Sequence, residues 1–348
     1  MRWWQYMLFP FSVLYGLMTW LRNFMYDTSI FKSSEFDVPT ICVGNLSAGG
    51  TGKTPMIEWL TSQYEPTKKI AVLSRGYGRK STGYAVVNSN DEAERIGDEP
   101  LQLKTRFPEL KVVVCESRVE GMIQLMIDFP ETELVLLDDA FQHRSLKADC
   151  NIILTSFSKP FYKDWLIPAG TLREISSGKS RAQIIVITKS PIDLNAENKS
   201  KMIEKIKPAK NQLVVFSCES FCEFETVLGE NSSVKNAFVV TGIANPQSLL
   251  SHLDSKGIHY VAMHFPDHYI FKLRDIDEMI LKSSQSKTII TTYKDWMRLK
   301  SMASVFNQHQ ISIIVVPVKT KFDSTDETLL NKKLGQYLHT KIITTNVE

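Results

Sequence analysis

The chain alternates short apolar segments with longer segments whose apolar residues recur at helical spacing. The apolar segments are continuous and rich in β-branched side chains, which is typical of strands buried on both faces of a parallel sheet. Segments of helical length between them predict helices covering the two faces. The first series of predicted strands comprises residues 38–43, 70–74, 112–115, 134–137, 152–154, 184–187 and 213–216.

A second series follows the polar segment 229–236, which we interpret as a linker. Its predicted strands comprise residues 237–242, 258–263, 288–291 and 311–316. The pattern therefore predicts two α/β domains, a larger one over 28–232 and a smaller one over 233–348 that closes the active-site cleft. Residues 1–27 precede both as a separate segment.

The amino-terminal segment has the composition of a membrane anchor. No charged residue occurs from Trp3 to Leu21, and Arg2 and Arg22 flank this stretch. As a helix it would be about 28 Å long, close to the roughly 30 Å of a bilayer's hydrocarbon core. Its many Trp and Tyr residues suit the membrane interface, while Pro10 weakens a spanning interpretation. A spanning or deeply inserted anchor, a helix lying in the interface and a buried core helix all stay open.

Charge and cysteine content narrow the function classes. Lys and Arg number 41 against 38 Asp and Glu, a net charge of +3 that does not indicate a nucleic-acid-binding protein. The 5 cysteines are odd in number, and several lie in apolar strand-like segments, as reduced cysteines do in a protein facing the cytosol.

A glycine-rich segment between a predicted strand and a helical pattern has the form of a phosphate-binding loop. Glycines let backbone N–H groups converge on phosphate oxygens at a helix N-terminus. The expected nucleotide-binding residues are Ser47, Ala48, Gly49, Gly50, Thr51, Gly52, Lys53 and Thr54. Lys53 is expected to reach the β- and γ-phosphates of ATP, and Thr54 to bind Mg²⁺. Ser47 stands where the strict pattern has glycine, and an ordinary surface turn is the alternative.

Two carboxylates, Asp138 and Asp139, directly follow a predicted strand. Such a strand delivers acidic groups to the carboxyl edge of the sheet, where Mg²⁺ lies in nucleotide enzymes with this kind of loop. A turn that begins with two Asp residues is the alternative. Gln142 and His143 follow within one helical turn and could face the same cleft.

Further candidates are dispersed along the chain. Asp98 lies at a predicted helix entry, where it is either an N-cap or a base that accepts a hydroxyl proton. His268 lies in a loop of the second series, next to Asp267. Arg75 and Arg173 are expected to contribute positive charge to a cleft, although isolated arginines are usually solvated.

Two classes of nucleotide-binding protein fit poorly. A switch GTPase carries a guanine-reading motif that ends in Asp, whereas residues 188–191 end in Pro191. Membrane-cycling ATPases with a deviant loop carry an early second lysine, where this chain has Ala48. A phosphotransferase or hydrolase remains.

The complete set of motifs resembles the tetraacyldisaccharide 4'-kinases, a family that acts on a lipid A precursor. The resemblance rests on residues 44–45, 49–55, 73–79, 97–100, 138–143, 168–174, 241–246, 265–268 and, more loosely, 292–295. Ala140 and Tyr293 depart from the family pattern, which usually has Gly and Glu at these places.

The resemblance implies a P-loop NTPase-like α/β fold and transfer of the γ-phosphoryl group of ATP to the 4'-hydroxyl of a tetraacyl glucosamine disaccharide 1-phosphate. It implies phosphate binding by Lys53, Mg²⁺ held by Thr54 with Asp138 or Asp139, and a base, Asp98, tuned by His268. The lipid substrate and the bilayer are the implied partners, at the cytoplasmic face of the inner membrane. Substrate contacts by Arg75, Gln142, His143 and Arg173 are weaker expectations. The alternative function is a membrane-bound ATPase that acts as a switch or assembly factor, and a third interpretation treats the loop as structural.

Overall fold

The structure is a computed structural model that describes residues 3–230 and 234–345. The chain divides into two compact units whose segments alternate along the sequence. The first unit comprises Met1–Arg75, Cys115–Glu219 and Thr320–Glu348, and the second comprises Gly76–Val114 and Ser220–Lys319. The domain boundary expected between residues 232 and 233 lies outside the described residues, as does the middle of the expected linker, so the predicted domain ranges stay a prediction.

The strands occur where short apolar segments were expected, with a few additional short ones. They are β1 (Thr40–Asn45), β2 (Ile70–Ser74), β3 (Ala85–Val86), β4 (Lys111–Val114), β5 (Leu134–Asp138), β6 (Cys150–Ser156), β7 (Ile184–Thr188), β8 (Leu213–Phe221), β9 (Glu225–Leu228), β10 (Asn236–Thr241), β11 (His259–His264), β12 (Thr288–Thr291), β13 (Ser312–Val315) and β14 (Val318–Phe322).

The helices occupy most of the longer segments between strands. They are α1 (Trp3–Asp27), α2 (Lys53–Tyr64), α3 (Ala93–Ile96), α4 (Asp98–Arg106), α5 (Arg118–Asp128), α6 (Ala196–Ile206), α7 (Gln247–Ser255), α8 (Leu273–Ser283), α9 (Tyr293–Leu299), α10 (Ala303–Gln308) and α11 (Ser324–Thr345). Short 3₁₀ segments occur at Phe161–Lys163, Ser176–Arg181 and Lys300–Met302.

The sheet of the first unit has the order β14-β8-β7-β6-β1-β5-β2. Strand β1 lies between β6 and β5 and is parallel to both, and β2, β7 and β8 continue the parallel pairing outward. Every residue of β1, β2, β5 and β7 is buried, which explains their continuous apolar sequences. Because parallel strands end at the same edge of a sheet, the residues that follow β1, β2 and β5 are placed close together.

The second unit contains a five-stranded sheet in the order β11-β10-β12-β13-β9. Its strands are parallel except for β9, which pairs antiparallel with β13. Side chains from β10, β12, β13 and α7 form a compact apolar core on this sheet, including Val239, Leu253, Ile290 and Ile314. In the same unit β3 and β4 form a short antiparallel pair. The expected mostly parallel α/β architecture is confirmed.

Helix α1 has polar residues on its packed side and apolar residues on its exposed side. Gln5 Nε2 donates to Ala169 O at 3.0 Å, and Ser12 Oγ donates to Leu166 O at 2.9 Å. The exposed large side chains include Met7, Phe11, Leu14, Met18 and Leu21, which recur at helical spacing. Within the described residues, no helix combines the length and apolar character needed to cross a membrane.

Candidate active site

The glycine-rich loop connects the carboxyl end of β1 to the first residue of α2. Gly49 and Gly52 have φ angles of 113° and 86°, in the left-handed region that glycine adopts without steric penalty. Gly52 is the N-cap of α2, so that Lys53 and Thr54 form its first turn. Asn45 Nδ2 donates to Thr51 Oγ1 at 2.8 Å and ties the two ends of the loop together. The loop thus presents backbone N–H groups at a helix N-terminus, the arrangement that binds phosphate.

Two neighbouring segments hold the loop in this shape. Ala48 N donates to Thr171 O, and Arg173 N donates to Leu46 O, both at 2.7 Å. On the other side, Thr188 Oγ1 donates to Thr51 O at 2.8 Å. Because its backbone is fixed by neighbouring segments, the loop needs little ordering when a nucleotide binds.

Asp139 faces two cations of the first unit. Lys53 Nζ lies 3.7 Å from Asp139 Oδ2, and Arg173 NH1 donates to Asp139 Oδ1 at 2.8 Å. Burial raises the pKa of Asp139, but the positive charges of Lys53 and Arg173 outweigh it and hold the pKa below its ordinary value. Asp139 also has a φ of 48°, uncommon for a residue other than glycine. The structure therefore brings together Lys53, Asp139 and Arg173, three residues singled out from the sequence.

Asp138 has a different environment. It is the last residue of β5 and is only 5% exposed. Ser74 Oγ, at the end of the neighbouring strand β2, donates to Asp138 Oδ2 at 2.9 Å. Arg118 is 1% exposed, and its NH2 donates to the backbone oxygen of Asp138 at 3.1 Å. The Ser74 hydroxyl thus contacts the Asp138 carboxylate, and Lys53 and Arg173 contact that of Asp139.

Oxygen donors suited to Mg²⁺ are present in the first unit. Mg²⁺ in phosphoryl-transfer enzymes is usually held by one or two carboxylates or hydroxyls together with substrate phosphates and water. Thr54, Asp138 and Asp139 offer such hard oxygen ligands at the carboxyl edge of the sheet. No group of three or more His, Cys, Asp or Glu side chains in the described part of the chain has the arrangement of a metal site by itself. The donor set fits Mg²⁺ bound together with a nucleotide.

The weaker substrate candidates of the first unit have three different environments. Gln142 Nε2 donates to Asn45 O at 2.9 Å and to Glu174 Oε1 at 3.0 Å, so that it supports the loop. His143 is half-buried, and burial together with the positive charges of Arg118 and Arg75 lowers its pKa to about 4. Arg75 follows β2 and is exposed.

Glu174 is a buried side chain that the sequence did not single out for a role of its own. It is 0% exposed. Both of its carboxylate oxygens accept hydrogen bonds from Arg181 NH2, each at 2.8 Å. Asn23 Nδ2 of α1 also donates to Glu174, at 3.0 Å. Glu174 thus links α1 to Gln142 and the phosphate loop. Its position directly after Arg173 was the available signal, but the burial of its charge depends on partners distant in sequence.

Asp98 and His268 lie together in the second unit, although they are 170 residues apart in sequence. Asp98 is the first residue of α4, with Gly97 as the N-cap, and is 5% exposed. His268 Nδ1 lies 3.1 Å from Asp98 Oδ2, and Asp98 Oδ1 accepts from Glu99 N at 2.9 Å. His268 lies in the loop after β11 and has a φ of 58°. Like Asp139, it is therefore a candidate residue in the left-handed conformation.

Two basic residues of α9 complete this Asp98 cluster, which we define as Asp98, Glu99, Asp267, His268, Lys294 and Arg298. Lys294 Nζ lies 2.9 Å from His268 Nε2, and Arg298 Nε lies 3.3 Å from Asp98 Oδ2. Arg298 NH2 also pairs with Asp295 at 2.9 Å. In the sequence, Lys294 belongs to residues 292–295, which match the family pattern only loosely, and no role was predicted for Arg298. Their spacing of four residues, which puts both on one helix face, was the available signal.

The charges around Asp98 favour the ionised form of the Asp98 carboxylate. Burial raises the pKa of Asp98, but the hydrogen bond from His268 and the positive charges of Lys294 and Arg298 outweigh burial and lower the pKa. Such a carboxylate accepts hydrogen bonds and can orient a hydroxyl or receive its proton.

Comparisons with known proteins agree over nearly the whole chain. A family model described as Tetraacyldisaccharide-1-P 4'-kinase matches residues 4–336. The chain is 39% identical over 320 residues to a Tetraacyldisaccharide 4'-kinase from Flavobacterium johnsoniae, covering 90% of this chain and 92% of that relative. It is 39% identical over 344 residues to one from Cytophaga hutchinsonii, covering 97% and 95%. A crystal structure of LpxK from Aquifex aeolicus in complex with ATP superposes with a TM-score of 0.73 at 28% identity, covering 96% of this chain and 99% of that one.

Proposed function

The chain belongs to the tetraacyldisaccharide-1-P 4'-kinase family, and from that membership we infer an ATP-dependent kinase of lipid A biosynthesis. It transfers the γ-phosphoryl group of ATP to the 4'-hydroxyl of a tetraacyl glucosamine disaccharide 1-phosphate. The observation that carries this conclusion is the family match over residues 4–336, which includes the phosphate loop and the Asp98 cluster.

On the nucleotide side, we propose that the loop amides and Lys53 bind the phosphates of ATP. The supporting observation is that Lys53 lies in the first turn of α2, where the helix N-terminus adds partial positive charge. Lys53 and Arg173 already neutralise Asp139 in this structure. Bound phosphates would offer Lys53 a second set of anionic oxygens in the same place.

We propose that Mg²⁺ binds with the nucleotide through Thr54 and the Asp138 and Asp139 pair. The bound ion supplies charge neutralisation for the phosphates during transfer. Asp138 ends β5 and Asp139 follows it, so both present carboxylate oxygens at the same edge of the sheet and either can act as the principal ligand. Asp139, which faces Lys53 and Arg173, serves to hold those two cations in position.

On the acceptor side, we propose that Asp98 is the base. As the sugar 4'-oxygen forms its bond to the γ-phosphorus, the bond between that phosphorus and the β–γ bridging oxygen breaks and ADP leaves. The proton of the 4'-hydroxyl passes to the Asp98 carboxylate. His268 orients that carboxylate through the 3.1 Å contact of its Nδ1. Phosphoryl transfer depends mainly on alignment and charge neutralisation, which this buried cluster can supply.

Substrate recognition by Arg75 and His143 also belongs to this proposal. Arg75 is exposed, and its guanidinium is suited to a phosphate or sugar hydroxyl. His143 is held neutral by its lowered pKa and can donate or accept a hydrogen bond. Gln142 and Arg173 contribute through their support of the phosphate loop and Asp139.

We propose that α1 lies in the membrane interface at the cytoplasmic face of the inner membrane. The support is the reversed polarity of the helix, since polar residues such as Gln5 and Ser12 hydrogen-bond the rest of the first unit, whereas many of its large apolar side chains are exposed. An exposed stripe of this kind is suited to insertion among lipid headgroups and acyl chains. The substrate carries four acyl chains, and removing each CH₂ group from lipid costs about 0.8 kcal/mol. An enzyme that binds the membrane avoids that cost.

The proposed function is tested by the position of the new phosphate. The purified protein is incubated with ATP, Mg²⁺ and tetraacyl disaccharide 1-phosphate, and the product is analysed by mass spectrometry and ³¹P NMR. We expect a bisphosphorylated lipid with phosphate at the 4' position, and no product from a 4'-deoxy acceptor. ATP hydrolysis without any phosphorylated lipid would instead support an ATPase that acts as a switch or assembly factor.

A further inference from the structure

The His268 ring lies between an anion and a cation of the Asp98 cluster. Its Nδ1 lies 3.1 Å from Asp98 Oδ2, and its Nε2 lies 2.9 Å from Lys294 Nζ. Asp267 Oδ2 also lies 3.9 Å from Nε2, which is beyond hydrogen-bond distance. Each ring nitrogen therefore has one hydrogen-bond partner, and the two partners have opposite hydrogen-bonding character. A carboxylate only accepts hydrogen bonds, and a lysine ammonium only donates them.

These contacts are compatible with one protonation pattern of the ring. If Nδ1 carries the proton, it donates to Asp98 and Nε2 accepts from Lys294. If Nε2 carried the proton instead, two donors would face each other at Lys294 and two acceptors at Asp98. An imidazolium would also place two donors together at Lys294. The hydrogen bond that one ring nitrogen makes fixes the tautomer seen by the other.

Lys294 is itself held as a cation in a fixed place. Its Nζ lies 3.2 Å from Glu99 Oε1 and 3.4 Å from Asp267 Oδ1, so carboxylates from two segments surround it. Although burial disfavours its charged form, the carboxylates of Glu99, Asp98 and Asp267 raise the pKa of Lys294. The side chain is 18% exposed, so that solvent access is limited.

We propose that Lys294 is a positioning residue that holds His268 in the tautomer with the proton on Nδ1. In that tautomer His268 donates to Asp98 and keeps the carboxylate oriented as an acceptor for the substrate hydroxyl. Lys294 acts through His268 and contacts neither ATP nor lipid in this role. The inference rests on the proposed function for its catalytic consequence, whereas the tautomer itself is a property of the protein alone.

Arg298 has a separate part in the same cluster. Its Nε lies 3.3 Å from Asp98 Oδ2, while its NH1 donates to Tyr269 O and its NH2 to Gly242 O, both at 3.1 Å. Arg298 thus contacts the same Asp98 oxygen as His268 and also binds the backbone next to His268. It makes no hydrogen bond to the ring, so loss of Lys294 cannot be compensated from this side chain without rearrangement.

The test uses the full-length protein labelled with ¹⁵N-histidine. Two-bond ¹⁵N–¹H correlation spectra distinguish the two neutral tautomers and the imidazolium, and His268→Asn identifies the signals of His268. We expect the wild-type ring to show a protonated Nδ1 and an unprotonated Nε2. A protonated Nε2 in the wild type would overturn the proposal.

Variants at position 294 separate positioning from a merely structural role. Lys294→Met removes the donor, and we expect His268 to lose its single tautomer while kcat for lipid phosphorylation falls about 10²-fold and KM for ATP is unchanged. Lys294→Arg retains a cationic donor and is expected to keep the tautomer and most of the activity. Lys300→Met is the matched control, because Lys300 Nζ donates to Ser89 O at 2.8 Å and, within the described part of the chain, makes no contact with the Asp98 cluster.

The outcomes distinguish this inference from the proposed function. Unchanged His268 signals in Lys294→Met would overturn the positioning role, whatever the effect on activity. If Lys294→Met does not fold, the wild-type and Lys294→Arg spectra still decide the tautomer. A wild-type protein that shows the expected tautomer but phosphorylates no lipid would contradict the proposed function and leave the inference about Lys294 intact.

Discussion

At the scale of single residues, the two carboxylates proposed for chemistry differ in their partners. Asp98 is contacted by His268 and Arg298 in the second unit, and Asp138 by Ser74 in the first. Both are buried, and each ends or begins a regular element. The pKa of Asp98 is lowered by its partners, because they favour the charged form of a buried carboxylate that would otherwise take up a proton.

Replacing Asp98 tests its role as base. Asp98→Asn retains the shape of the side chain but removes the negative charge that accepts the hydroxyl proton. We expect kcat to fall by about 10²- to 10⁴-fold, with little change in KM for ATP. Steady-state kinetics with varied ATP measure both quantities. Asp277→Asn on the exposed face of α8 is the matched control, and a variant at Asp98 that loses ATP binding but not turnover would contradict the role.

The lowered pKa of His143 makes a prediction about stability. Because its folded-state pKa is about 4 against an ordinary value of 6.5, the folded state favours the neutral ring. As the pH falls from 6.5 toward 4, the unfolded chain takes up a proton at His143 and the folded protein does not, so the free energy of unfolding decreases over this range. Above pH 6.5 the ring is neutral in both states and this loss is absent. His143→Gln should therefore show a smaller loss of unfolding free energy over this range than the wild type. Urea denaturation at several pH values measures the difference, with exposed His309→Gln as the control. Parallel curves for wild type and His143→Gln would contradict the prediction.

Some of these residues could be predicted from the sequence because their signals are local. The loop from Ser47 to Thr54 and the Asp138 and Asp139 pair each follow a strand that the apolar pattern identifies. The partners of Asp98 could not be predicted in the same way. His268 lies 170 residues away, and no periodicity specifies that the start of α4 meets α9.

At the scale of elements, the strand predictions were close to the observed bounds. Continuous apolar segments define β2 and β12 to the residue, since burial of both strand faces leaves little ambiguity. The short or partly exposed strands β3, β9 and β14 were not predicted. Strand β14 is only partly buried and carries lysines at Lys319 and Lys321, so its sequence lacks an apolar signal.

Helix α1 provides the prediction at this scale. Leu14 and Met18 are 57% and 64% exposed on its outward face. Changing both to serine should weaken binding to phospholipid vesicles about 30-fold, because insertion of each side chain contributes about 1 kcal/mol. Co-sedimentation with vesicles of phosphatidylethanolamine and phosphatidylglycerol measures the change.

A matched pair of apolar residues serves as the control for α1. Ile123 and Ile127 on α5 are also exposed, are also four residues apart and belong to the same unit. Their double change to serine should leave vesicle binding as it is in the wild type. Equal losses from both pairs, or no loss from the α1 pair, would contradict an interfacial role for α1.

At the scale of the whole molecule, the two units alternate along the chain. Residues 76–114 belong to the second unit, together with 220–319, although residues of the first unit precede and follow them. The contacts that place them there, such as Asp98 with His268 and Thr105 with Met297, join positions distant in sequence. A pattern of strands and helices specifies elements in order, but it does not specify which elements pack together. The α/β class follows from the order of the elements and could be predicted. The assignment of segments to the two units could not.

The central claim is that this chain transfers phosphate from ATP to a lipid hydroxyl. The most direct test follows the label from γ-³²P-ATP in a mixture of the protein, Mg²⁺ and tetraacyl disaccharide 1-phosphate, with lipid and free phosphate separated by chromatography. We predict that label enters the lipid with the wild type and that Lys53→Ala lowers this transfer by about 10²-fold or more, since the phosphates lose their neutralising ammonium. Lys201→Ala, at an exposed ion pair of α6, should behave as the wild type. Label found only in free phosphate, or undiminished transfer by Lys53→Ala, would contradict the account.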